Sequence, residues 1–273
     1  MSEVPTVGGD IVYVAAAAPE TLPPGLVMRV GSLLGKAAYD TRLLLAGKIP
    51  RVIACLPDIV TADSMAQSMR DAGLAAFTCR DSELRNCAAR FVAHTVKSGE
   101  RGVTFLDRVG GEALVEASEA FLIIRGRVQS SVREKVQTTK IKLSVPMTLL
   151  TGGIPIMRRV SRTATGELIR ADDFVRIYDA KSSNPRVEML QNHMDYAFLG
   201  PDLTPSTPVN FRLFVTKLRE WFPQASYVER LIRSFKTDIP VAGPEEALEI
   251  NCKLISLSHL AAGRRGMRKL AGR

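Results

Sequence analysis

The sequence predicts an α+β fold, and three observations carry that reading. Over residues 11–79, short β-rich apolar runs alternate with helical stretches. From Gly102 the pattern changes to short strand-like runs separated by turn residues. After Thr207 the apolar spacing becomes helical again. The expected architecture is a βααβαβ module followed by an antiparallel β-sheet domain capped by C-terminal helices. A chain of 273 residues, 46% hydrophobic and 24% charged, suffices for one large or two ordinary domains with real cores.

The first module reads in order. Residues 11–15 form an apolar strand, and Pro19, Pro23, Pro24 and Gly25 turn the chain. Leu26, Val27, Val30, Leu33 and Leu34 recur at helical spacing until Gly35 interrupts. A second helix spans 37–45, and 51–56 is a buried strand. Asp58 or Thr61 is a candidate cap for the next helix, because a short side-chain oxygen accepts from the unpaired amides of a first turn. Met65, Met69 and Ala72 share one face of that helix, and Gly73 supplies its left-handed end. Residues 74–79 make the third strand.

This order resembles the C-terminal domain of the bacterial ribosomal stalk protein, a fold shared with ClpS-type adaptors. The stalk family places Glu-Ala-Lys five residues after a glycine, where this chain has Gly35 and then Asp40-Thr41-Arg42. Its third-helix pattern is matched here by Thr61-Ala62-Asp63, Met65, Met69 and Ala72-Gly73. The resemblance covers about residues 10–80 and implies a non-catalytic interaction module. Stalk proteins recruit translation factors through a lysine-rich helix face. Only Arg42 matches such a lysine, and Leu44 and Leu45 fill neighbouring basic positions, so the resemblance brings no partner with it.

Residues 82–97 read as a helix with Leu84, Cys87, Ala88, Phe91 and Thr95 inward, so 81–99 is expected to be a linker helix. Strands are expected at 103–109, 113–117, 121–128, 174–178 and 187–190, within a sheet domain spanning 100–236 and interrupted by an insertion at 129–170. Thr207-Pro208 opens a helix with Phe211, Phe214, Val215, Leu218 and Phe222 on one face. A further helix is expected over 225–235. In the last segment, 237–273, a helix starts at Gly243-Pro244-Glu245-Glu246 and ends at Gly263. A basic tail of Arg264, Arg265, Arg268, Lys269 and Arg273 follows.

Charge sets the functional expectation. The chain carries +9, and residues 125–170 hold ten basic side chains against Glu134 and Glu167, a net of +8. The candidate binding residues are Arg125, Arg127, Arg133, Lys135, Lys140, Lys142, Arg158, Arg159 and Arg162. They flank an uncharged run, 143–157, broken by Pro146, Gly152, Gly153 and Pro155. A basic collar around an apolar loop points to a non-enzymatic scaffold or interaction protein, docking on a protein partner or on its own copies. Two further partners fit the same charges. Sequence-independent nucleic-acid binding would use phosphate contacts, although the run holds no aromatic to stack bases. An anionic membrane surface would take Leu143, Val145, Met147, Leu149, Leu150, Ile154, Ile156 and Met157 into its interface.

Chemistry-bearing motifs are sparse. A small hydrolase would centre on His193, with Asp195 on the same strand face and Tyr196 beside them. Cys79, Cys87 and His94 lack the second ligand pair of a zinc site, so no metal is expected. Gly152-Gly153 is not followed by the Lys-Ser/Thr of a phosphate loop, and no dinucleotide fingerprint is present. No cofactor and no small-molecule substrate are therefore expected. Four scattered cysteines, no signal peptide and no apolar run of about 18 residues lead to a cytoplasmic expectation.

Overall fold

The computed structural model describes residues 10–47, 49–143, 157–232 and 237–271, with side chains outside 129–170 and 264–271. They divide into two compact units, one formed by the chain up to Val128 and from Asp172 onward, the other by Gln129–Ala171. The first unit joins in one body the module 10–80 and the sheet domain expected to stand apart from it.

The N-terminal order is the expected βααβαβ: β1 (Val12–Ala17), α1 (Pro24–Leu34), α2 (Ala38–Leu45), β2 (Arg51–Leu56), α3 (Ile59–Asp71) and β3 (Ala75–Arg80). β1 is central and pairs antiparallel with both neighbours, in the order β2-β1-β3. Gly35 ends α1 in the left-handed region (φ 62°), where a side chain would be strained. Asp58 caps α3, its Oδ1 accepting from the Thr61 amide at 2.8 Å. Val12, Val14 and Ala16 pack with Leu26, Val30, Ala62, Ala66 and Met69 of the helices. Tyr13 and Ala15 alternate to the other face, which is also covered. Burial on both faces explains why β1 is apolar throughout.

The rest of this unit adds α4 (Asp81–Arg85), β4 (Phe91–Ala93), β5 (Thr95–Ser98), β6 (Gly102–Leu106), β7 (Glu112–Glu116), β8 (Ala120–Leu143), β9 (Met157–Asp179) and β10 (Val187–Leu190). Two 3-10 turns, at Gln191–His193 and Ala197–Asp202, lead to α5 (Thr207–Trp221), β11 (Ser226–Leu231) and α6 (Pro244–Ala271). β8 and β9 continue into the second unit. β5-β6-β7 is an antiparallel meander. The larger sheet has five strands in the order β11-β8-β9-β10-β4. It is mixed: β10 runs antiparallel to β9, whereas β4 and β11 run parallel to their neighbours β10 and β8.

Its two faces separate by residue parity. Ile123, Val175, Ile177 and Met189 pack against Phe211, Phe214, Val215 and Leu218 of α5 and against Val103, Phe105 and Val115 of the meander. Leu122, Ile124, Phe174 and Tyr178 meet Leu248, Cys252 and Ile255 of α6. The same helix turns Ile250 and Leu254 toward Tyr13, Ala15, Phe77 and Cys79 of the first sheet. α6 is thus sandwiched between two sheets, and every residue from Ile250 to Ser256 is buried. Among the described residues the Ser256 hydroxyl of this stretch has no hydrogen-bond partner, although a buried helical stretch gains by satisfying its polar groups within the fold. Lys253 does so by donating to the carbonyls of Glu83 (2.6 Å) and Asn86, at the end of α4.

Two expected helices are strands. The linker helix 81–99 stops at Arg85, and 91–93 and 95–98 are β4 and β5. Ala93 and Val96 enter the core shared with the meander, so tertiary packing overrides a helical spacing that local sequence supports. Residues 226–231 of the expected 225–235 helix form β11, with Tyr227 and Val228 registered against Ile123 and Ile124. The last helix also runs past Gly263 to Ala271. No helix among the described residues is long and apolar enough to cross a membrane.

Candidate interaction site and a buried charge ring

Among the described residues, the second unit holds two strand segments, 129–143 of β8 and 157–171 of β9, which are neighbours in the sheet order. Residues 129–171 contain eight basic residues against two acidic, a net of +6 out of the +9 of the whole chain. Arg133, Lys135, Lys140 and Lys142 lie on β8, and Arg158, Arg159 and Arg162 on β9. Their side chains fall outside the described residues, as do positions 144–156 of the apolar run and the basic side chains that end α6.

The remaining two candidates belong to the first unit and are ion-paired. Arg125 donates through Nη1 to Glu229 of β11 (2.7 Å) and through Nη2 to Asp173 (3.2 Å). Arg127 donates through Nε to the same Asp173 (2.6 Å), and that hydrogen bond raises its pKa. Asp173 is buried, and the Arg125 guanidinium also lies 5.8 Å from the centre of the Phe211 ring. Both arginines are thus held by carboxylates of the sheet, and the other seven candidates lie in 129–171.

A second charged feature had no counterpart in the sequence reading. Arg176 of β9 donates to Glu188 of β10 (2.7 Å) and to Glu249 of α6 (2.6 Å). Arg90, just before β4, donates to the same two carboxylates at 3.3 and 3.1 Å. Two guanidiniums and two carboxylates close a ring of no net formal charge joining β9, β10, α6 and the residue that precedes β4. The ring is deep, with the Arg176 side chain 4% exposed. Its signal in the sequence was a single charge in the middle of each of two apolar strands, Phe-Val-Arg-Ile-Tyr and Val-Glu-Met-Leu. The register sets these directly opposite each other as Glu188 and Arg176.

Burial pushes the Glu249 carboxyl up, but Arg176 and Arg90 more than reverse this and hold it below the ordinary glutamate value. A carboxyl with a depressed folded pKa contributes stability that is present above its unfolded pKa and is lost as pH falls through the folded one. Glu249→Gln is therefore expected to be less stable than the parent at pH 7. The gap should shrink once the pH drops below about 4.3, where an unfolded glutamate titrates. Urea midpoints measured between pH 7 and pH 3 check this, and a gap independent of pH would refute it.

The reactive groups singled out by sequence are engaged elsewhere. His193 lies in a 3-10 turn, not on a strand, and its carbonyl accepts from His94 Nδ1 at 2.5 Å. Asp195 closes a local turn by accepting from the Ala197 amide at 3.0 Å, so the expected same-face pair does not form. Asp172 instead lies beside this turn and accepts from the Asn192 amide (3.3 Å) and side chain (3.1 Å). Burial, the largest influence, pushes the Cys79 thiol up to about 12 and Cys252 to about 11, away from reactive thiolates. Among the described residues no cluster of three His, Cys, Asp or Glu could hold a metal ion.

No protein-family model, curated protein or solved structure matches this chain.

Proposed function

We propose that the chain is a non-enzymatic docking or scaffold protein that contacts an anionic partner through residues 129–171. One observation carries the reading: two thirds of the net charge is gathered into a unit that is separate from the body by its own contacts. Within the first unit the cations Arg125, Arg127, Arg90 and Arg176 are matched by carboxylates, and the net charge outside 129–171 is +3 against +6 within it. Like charge on two copies opposes self-association through this unit.

A sulfated-polysaccharide column tests the reading. Lys140→Glu with Lys142→Glu should elute the full chain at markedly lower salt than the parent. Arg127→Gln should leave the elution salt nearly unchanged and lower thermal stability, because its Asp173 contact is internal. Retention that is insensitive to the lysine changes would remove the basis of the proposal.

A further inference from the structure

We infer that the cleft between the first sheet and α6 binds a small neutral aromatic alcohol, a phenol. The cleft has a volume of about 280 Å³, and Ala17 of β1, Ala75 and Phe77 of β3, and Ser258, His259 and Ala262 of α6 line it. Its origin lies in the sequence. Earlier along α6, Ile250 and Leu254 fill the gap against Tyr13, Ala15 and Cys79. At this end the facing side chains, Ala17, Ala75 and Ala262, stop at Cβ and leave the gap open. An engineered cavity of about 150 Å³ takes up benzene, so the space here suits one substituted ring. Walls that end at Cβ favour a flat ring over a branched chain, and Phe77 adds an aromatic contact.

The polar groups narrow the class. Neither Ser258 nor His259 has a hydrogen-bond partner among the described residues. Burial, the larger influence, and Arg230 of β11 hold the His259 imidazole below the ordinary histidine value, so it is neutral at pH 7. Among the described residues, none that lines the cleft is charged at that pH. A carboxylate or ammonium ligand would therefore lose its water without gaining a counter-charge. A neutral imidazole offers one acceptor and one donor, and a serine hydroxyl offers both. A phenolic hydroxyl matches this pair, donating to the imidazole and accepting from Ser258. An indole N–H can only donate, which leaves the serine proton unanswered.

The test uses the full chain with p-cresol and toluene, which differ by one hydroxyl. Proton NMR follows each ligand and the imidazole resonance of His259, one of only three histidines in the chain. At pH 7 p-cresol should bind about tenfold more tightly than toluene and shift the His259 resonance. His259→Leu should bring p-cresol down to the level of toluene while toluene itself is held as before. A merely structural histidine would lower both ligands together. Affinity for p-cresol should also fall as the pH drops through the His259 pKa, because an imidazolium has no acceptor, and toluene should show no such dependence. Ala262→Leu, at an exposed helix position that tolerates the larger side chain, should enter the cleft and weaken both ligands. Equal binding of the two ligands, tighter binding of sodium benzoate, or no binding of p-cresol at millimolar concentration would overturn the assignment. Binding that Ala262→Leu leaves untouched would place the ligand elsewhere and overturn it equally.

Discussion

Arg176→Met is expected to destabilise the chain by about 3–5 kcal/mol, the range for breaking a buried ion pair from one side. The substitution preserves much of the volume and removes the guanidinium that donates to both Glu188 and Glu249. Two carboxylates with side chains only 10% and 20% exposed would then share Arg90 alone. Arg176→Lys should not restore stability, because a single ammonium cannot reproduce the planar fork that spans two acids. Adding Glu188→Leu to Arg176→Met should recover part of the loss, since replacing both partners by apolar groups is often near neutral. Urea denaturation at pH 7 of the three variants measures this. A loss of less than about 1 kcal/mol for Arg176→Met would mean that the ring contributes little.

The ring also bears on which fold the chain adopts. It draws together Arg90, Arg176, Glu188 and Glu249, so β4 is fixed at the edge of the large sheet, parallel to β10. Without that contact, residues 82–97 would retain a credible helical stripe. An oppositely charged set with a unique closed arrangement supplies register at little net gain in energy. The paired Arg176→Met and Glu188→Leu variant is therefore expected to lose the single set of amide resonances of the parent even where it recovers stability.

What the sequence revealed follows the range of the interactions involved. The βααβαβ order, a cap at Asp58 or Thr61 and the Gly35 stop were readable because each depends on residues within one turn or one strand, and the structure selects Asp58 as the cap. The strands β4 and β11 were misread for the opposite reason. Their partners lie far along the chain: β4 pairs with residues 187–189 and β11 with residues 122–126. Parallel pairing leaves no hairpin turn for the eye to find. Tyr227, Val228 and Leu231 fit a helical repeat as well as a strand, and only packing onto β8 decides between them.

The site divides along the same line. Clustering of positive charge at 125–170 was visible because it is compositional. The neutralisation of Arg125 and Arg127 was not, because Asp173 and Glu229 are 48 and 104 residues away from Arg125. Spacing placed His193 and Asp195 on one strand face, but the strand ends at Leu190 and the geometry that would align them is absent. Reactive residue types at a suggestive spacing carry little weight until the backbone between them is known.

Phe174→Ala should cost about 3–5 kcal/mol, comparable to loss of the ring, and for a reason that can be checked by a second change. The ring of Phe174 is fully buried among Leu122, Ile124, Leu231 and Ile255. It also underlies Arg176, whose guanidinium carbon lies 4.7 Å from the ring centre. At its edge it occupies the space of a missing side chain: a Cβ built on Gly126 would lie 2.5 Å from Phe174 Cζ and 3.0 Å from Leu231 Cβ. Gly126→Ala alone should therefore overpack the site and cost about 1–3 kcal/mol. In the Phe174→Ala background the same methyl meets a cavity instead of a ring edge, and its cost should fall by more than about 1 kcal/mol. Strict additivity of the two changes would show that Gly126 and Phe174 do not share the space assigned to them. Phe174→Leu separates the remaining term, because it refills most of the volume while removing the aromatic face beneath Arg176. If the ring of charges depends on that support, Phe174→Leu will lower the coupling measured between Arg176 and Glu188, and if it does not, the coupling will stand unchanged.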